Sequence, residues 1–285
     1  MNNIQEYIRP ATVAEAREAL SADGSAVIAG GTDFMIDIRS GEFYGRRLVD
    51  VSAIPEMRRL EETDDGLISI GASVKIEELR QSPLIKAQVS ALAQAADKFA
   101  GLQVRNMATI GGNVGHAAPC GDTHPPLILY DGLGEVAGSE GRERRPVAEL
   151  FSGPNRSALK PGELIIRFLL RPETATLVSF QKIGRRKDLA ISRVSLAVSV
   201  NVAEDGLIDR AKIVLGACMP TTRRMPQTEA ALVGQKPAGP VFKEAARAMA
   251  DEMIAITGRR ASVVYKEPAI QGLLIRQLYP LIRKD

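Results

Sequence analysis

The chain has no tryptophan, two cysteines, two histidines and only 4% aromatic residues. Each scarcity removes a class of function. Cys120 and Cys218 lie far apart with no CxxC pair, which excludes a thiolate zinc site or an iron–sulfur cluster built by this chain alone. His116 and His124 are too few for a histidine-rich centre, so no metal ligands are expected. Sparse aromatics, scattered Lys and Arg and a net charge of only +3 leave no reason to expect a nucleic-acid partner. The longest apolar stretches, such as 164–170, fall short of the ~20 residues that cross a bilayer, so no membrane span is expected. The opening MNNIQEYIRPAT carries no charged-then-apolar leader pattern, so a cytoplasmic location without a disulfide is expected. Neither a Walker A loop nor a GxGxxG fingerprint is present.

What is present is an ordinary composition, 45% hydrophobic and 25% charged, in 285 residues. That suffices for about two domains. Thr12, with Glu15 in capping-box spacing, predicts a helix running to Gly24. Short strands follow at 26–30 and 48–52, a half-buried strand at 67–73, a helix over 84–100 stopped by Gly101, and a buried strand at 163–171. The last third differs. Val194, Leu196, Val198, Val200 and Val202 alternate with smaller or polar residues, and Ala211, Ile213 and Leu215 alternate again after the turn Glu204-Asp205-Gly206. This predicts a β-hairpin, followed by helices opened by Pro226, over 241–256, and from about 268 to 281.

Two glycine pairs stand out: AGGTD at 29–33, after a strand, and TIGGN at 109–113. Glycines let the backbone approach a ligand and turn successive N–H groups toward one anion. Either pair alone also reads as a tight turn. Together they suggest a dinucleotide phosphate site of a non-Rossmann type.

The segments VIAGGTDFMIDIRSG (27–41) and FAGLQVRNMATIGGNVGHAAPCGDTHPPLILYD (99–131) resemble the FAD-binding domain of the molybdenum-hydroxylase flavoproteins, the xanthine and carbon monoxide dehydrogenase type. The likeness runs from Tyr7 to about Pro280. It implies an α+β architecture: a two-subdomain FAD-binding domain of the vanillyl-alcohol-oxidase/PCMH type over 1–174 (parts about 1–58 and 59–174), then a C-terminal α+β domain over 175–285 with an antiparallel sheet and helices.

The resemblance also implies site residues. Ile28, Ala29, Gly30, Gly31, Thr32, Asp33 and Phe34 would meet the FAD phosphates, with Thr109, Gly111, Gly112 and Asn113 on the other side. Phe99 matches an aromatic at the ring system, and would otherwise be a core residue closing its helix. Asp122 matches a carboxylate near the polyol and ribose hydroxyls, and could instead cap the segment THPPL. Ile165 would touch the flavin or be plain core. Within SFQKIGRRKDLAIS (179–192), Lys182 is the flavin-side residue unless a one-residue shift gives the slot to Gln181. Covalent flavin attachment through His116 or Cys120 is weighed against a polar loop residue and a small buried thiol, which are preferred.

The implied function is electron transfer. A large partner subunit with a molybdopterin cofactor hydroxylates substrate, a small partner carries two [2Fe-2S] clusters, and FAD on this chain passes electrons to an acceptor such as NAD or oxygen. No catalytic residue for hydroxylation is expected here. A stand-alone flavin oxidoreductase of the same fold and a non-catalytic nucleotide-binding module are the alternatives. The substrate would be set by the partner.

Overall fold

The computed structural model describes residues 4–282; Met1–Asn3 of the opening stretch and residues 283–285 lie outside it. Thr12 caps the helix Val13–Leu20, its Oγ1 accepting the Glu15 N–H at 3.2 Å. Glu15 reaches back to the N–H of Ala11, one residue short of a true capping box. The helix ends at Leu20, earlier than expected, and Gly24 at φ +75° instead swings the chain into the strand Ser25–Ile28. That strand, Arg47–Asp50 and Glu6–Ile8 form a parallel three-stranded sheet with Arg47–Asp50 in the middle. Parallel pairing needs crossovers, here supplied by Val13–Leu20 and by the helix Phe34–Ser40.

A five-stranded antiparallel sheet follows, in the order Leu60–Glu62, Ile68–Gly71, Leu164–Leu170, Leu133–Gly138, Gly141–Pro146. Leu164–Leu170 is its buried centre, as the apolar run predicts. The strand Gly141–Pro146 was not foreseen, because GRERRP reads as a polar loop. It forms the exposed edge, where charged side chains discourage further pairing.

The helix expected over 84–100 is two helices, Pro83–Gln88 and Ser90–Lys98, broken at Val89 (φ −137°, ψ 56°). The cause comes from outside the segment. The hydroxyl of buried Tyr130 accepts the Ala91 N–H at 3.0 Å, replacing a bond that an unbroken helix would make to its own carbonyl.

The C-terminal sheet is antiparallel, in the order Leu177–Ile183, Val194–Val202, Ile208–Gly216, Arg223–Arg224. Gly206 at φ +81° makes the predicted hairpin turn. One face packs Val194, Leu196, Val198, Val200, Ile213 and Leu215 against the helices Gly239–Thr257 and Val263–Leu278. The opposite face is buried too: Phe180, Ala197 and Val214 join the core of the first 170 residues, and the helix His124–Leu129 lies against it. The small residues between the valines are therefore the close-packing side of a sheet covered on both faces. Pro268 does not open the last helix but sits inside it. The carbonyl that loses a partner belongs to Val264, which is 83% exposed and can turn to water. Among the described residues, no helix is long and apolar enough to cross a membrane.

Candidate functional site

A cleft of about 680 Å³ gathers residues from the strand end at Ile28, the helix Ile110–His116 and the strand Leu164–Leu170. It is lined by all seven residues Ile28, Ala29, Gly30, Gly31, Thr32, Asp33 and Phe34. Thr109, Gly111, Gly112, Asn113, Phe99 and Ile165 also line it. Asp122 and Lys182 do not.

The two glycine pairs meet through their main chains. A Cβ on Gly30 would stand 2.1 Å from the Met107 carbonyl oxygen and 2.9 Å from Ala108 Cα, so only glycine allows segment 29–33 to lie on segment 107–109. Gly31 is required for a second reason, its φ of +68°. The chain then enters the helix Phe34–Ser40 with no side-chain cap from Asp33. Among the described residues, the N–H groups of Gly30, Gly31, Thr32, Asp33 and Phe34 donate to no protein acceptor, and the Thr32 hydroxyl also makes no hydrogen bond. A row of unpaired amides at a helix start carries partial positive charge and suits an anion.

The second pair is the start of a helix rather than a tight turn. Thr109 caps Ile110–His116, its Oγ1 accepting the Gly112 N–H at 3.1 Å. The Ile110 N–H donates to Val74 O at 3.0 Å and the Gly111 N–H to Ala72 O at 2.8 Å. These amides are spent inside the protein. What this side offers the cleft is room, together with the Asn113 side chain, whose Oδ1 accepts the Thr123 hydroxyl at 2.6 Å and leaves the NH₂ group as a donor. Gly111 is needed for packing, since its Cβ would lie 2.6 Å from both the Cβ and the carbonyl oxygen of Ala72. Gly115, one turn on, lines the cleft, and a Cβ there meets nothing within 4 Å.

Phe99 ends the helix Ser90–Lys98, and Ala100 beyond it is held at φ +32°. An L-residue does not adopt that angle without support. The support is Arg105, whose Nη1 donates to the carbonyls of Phe99 and Ala100, each at 3.1 Å, while its Nε donates to Glu77 Oε2 at 2.7 Å. Glu77 also accepts from Arg80 and Gln81, and these bonds hold its pKa down to about 2. Within FAGLQVRN this arginine carries no motif that marks it as a support. The available signal was an arginine six residues past the aromatic, within reach of its carbonyl. Glu77 carried no signal at all.

Asp122 does not cap THPPL; the helix His124–Leu129 has no side-chain cap. Its carboxylate accepts from Lys182 Nζ at 2.5 Å and from the Ser192 hydroxyl at 2.5 Å. Burial pushes the Asp122 carboxyl above its ordinary value, opposed by Lys182 and Ser192. Gln181, on the other face of the strand, accepts instead from Arg276 Nε at 2.9 Å. His116 lines the cleft, and Cys120 is half-buried. His124 is fully buried, with its Nε2 3.1 Å from the Asn113 carbonyl oxygen and its ring 4.5 Å from that of Phe151.

Comparison with known proteins gives two family matches. Residues 2–170 match the FAD binding domain in molybdopterin dehydrogenase, and residues 179–281 match the CO dehydrogenase flavoprotein C-terminal domain. The carbon monoxide dehydrogenase medium chain of Hydrogenophaga pseudoflava is 30% identical over 88% of this chain and 86% of its own length. The nicotinate dehydrogenase FAD-subunit of Eubacterium barkeri is 27% identical over 94% and 93%. Among solved structures, a chain of the Hydrogenophaga pseudoflava carbon monoxide dehydrogenase lacking the Mo-pyranopterin moiety superposes with a TM-score of 0.89 at 27% identity, covering 99% of this chain and 100% of that one.

Proposed function

Because the chain belongs to the FAD-binding subunit family of the molybdenum hydroxylases, we propose that its cleft seats FAD and that it works as the electron-transfer subunit of a heteromeric complex. The observation that carries this reading is the run of unpaired amides from Gly30 to Phe34. A diphosphate is the part of FAD that needs such donors, and the cleft's volume lies within the ~300–1,000 Å³ usual for ligand sites.

The residue roles follow from what each group has left to give. The amides of 30–34 and the Thr32 hydroxyl hold the diphosphate, with the Asn113 NH₂ as a further donor. The side-chain-free surface of Gly111, Gly112 and Gly115 lets the cofactor lie close to that helix. Phe99, fixed by Arg105, and Ile165, at the bulge in its strand, supply apolar contact to the ring. Asp122 and Lys182 act as a pair, so that Lys182 presents a positioned charge rather than a mobile one; Gln181, turned to Arg276, is the weaker choice for the flavin-side residue. Residues 1–174 form the FAD-binding unit and 175–285 the second domain.

Bound FAD would take up electrons singly and release them in pairs. In this assignment the electrons come from two [2Fe-2S] clusters on a small partner subunit, the molybdopterin cofactor sits on a large one, the acceptor is NAD or oxygen, and the complex is cytoplasmic. The chain alone hydroxylates nothing. Gentle purification from native cells, with flavin absorbance and iron and molybdenum analysis, tests this. One FAD per chain, co-purifying metal-bearing partners and no turnover by the separated chain are expected. A colourless chain, or substrate turnover by the chain alone, overturns the assignment.

A further inference from the structure

A second cavity, about 570 Å³, opens where the helix Ser90–Lys98 faces the edge strand Leu177–Ile183, with Arg276 from the helix Val263–Leu278 at its rim. Five cationic side chains line it against a single lining carboxylate, Asp97, although two of the five are already paired behind the wall, Arg80 with Glu77 and Lys182 with Asp122. Asp97 is already engaged, 3.8 Å from Arg80 and 3.5 Å from Lys98. Among the described residues, Lys86 and Arg276 have no carboxylate partner.

The uncharged groups lean the same way. Gln94 Oε1 accepts the main-chain N–H of Phe180 at 2.7 Å, and Gln181 Oε1 accepts from Arg276. Both partners are pure donors, so the orientation of each amide is fixed by chemistry. Each glutamine therefore turns its oxygen toward a protein donor and keeps its NH₂ group. With Lys86, Arg276 and the Ser179 hydroxyl, the cavity presents a set of donors with almost no free acceptor.

We propose that this cavity binds a small phosphate-bearing anion. A guest here must accept hydrogen bonds and bring negative charge. The donors stand on two walls, one helical and one of strand and C-terminal helix. A tetrahedral phosphate offers oxygens in several directions and can meet both walls, whereas a planar carboxylate takes its donors mainly in one plane. The site is distinct from the cleft at Gly30–Phe34, with which it shares no lining residue.

Inorganic pyrophosphate titrated calorimetrically into the FAD-loaded chain at fixed ionic strength tests the proposal. Wild type should give saturable one-to-one binding. Lys86→Ala and Arg276→Ala, both at exposed positions, should each weaken it by about tenfold or more, the contribution of a charged hydrogen bond. Gln94→Glu keeps the oxygen that Phe180 needs and replaces the donor by a repelling charge, so it should abolish binding. Lys236→Ala, away from the cavity, should change nothing, and flavin absorbance should stay constant throughout. Absence of saturable heat in wild type, or equal binding in wild type and the three cavity variants, overturns it.

Discussion

Gly111 and Gly115 sit one helical turn apart on Ile110–His116 and should respond in opposite ways to a side chain. At Gly111 the added carbon would be 2.6 Å from the main-chain oxygen of Ala72, an atom fixed by its place next to the central sheet. Gly111→Ala should therefore cost about 1–3 kcal/mol of stability, the usual penalty for overpacking. In a chain of this size that lowers the melting temperature by about 2–4 °C per kcal/mol, with or without FAD. At Gly115 the same atom meets nothing, and the backbone is helical. Gly115→Leu should leave the apo-protein as stable as wild type or up to about 1 kcal/mol more stable, from helix propensity. Its side chain then occupies cleft space. If FAD must be accommodated at an overpacking cost of about 1–3 kcal/mol, its dissociation constant rises roughly five- to 150-fold. Flavin fluorescence titration of apo-protein, beside thermal melts without FAD, reads both quantities. A Gly115→Leu protein binding FAD at wild-type strength would remove the cofactor from this cleft.

The remaining predictions concern the supports of the site. Glu77→Ala leaves the largely buried Arg105 without its carboxylate and should cost about 3 kcal/mol in urea denaturation, with FAD affinity falling as the Phe99–Ala100 turn loosens. The His124 pKa is pushed by burial from 6.5 down to about 4, so the folded state favours the neutral ring. Its contribution to stability is complete above pH 6.5 and lost as pH falls through about 4. The urea midpoint should drop between pH 7 and pH 5, and His124→Gln should flatten that drop. Glu77, depressed from 4.5 to about 2, acts only below that window, so the two effects separate.

Much of the fold was legible because its signals are local. The alternation from Val194 to Val202, the glycine turn at Gly206 and the apolar run at 164–170 each dictate a strand or turn within a few residues. The cleft was legible for a related reason: Gly30 and Gly31 are demanded by contacts and angles that no other residue satisfies. What escaped depends on partners distant in sequence. The break at Val89 is imposed by a tyrosine 39 residues from Ala91. The difference between the two glycine pairs, one with free amides and one without, is decided by the carbonyls of Ala72 and Val74. The fate of Asp122 is settled by Lys182, 60 residues away. A pattern within one segment cannot report which of its donors another segment will consume.

The doubly covered C-terminal sheet has a mechanical corollary. Phe180, Ala197 and Val214 are filling for the front half of the molecule, while Leu196, Ile213 and Leu215 are filling for the back. A displacement of either body is thus felt by a wall common to both. Lys182 stands on that wall two residues from Phe180, so its hold on Asp122 ties a charge to the layer that both bodies share.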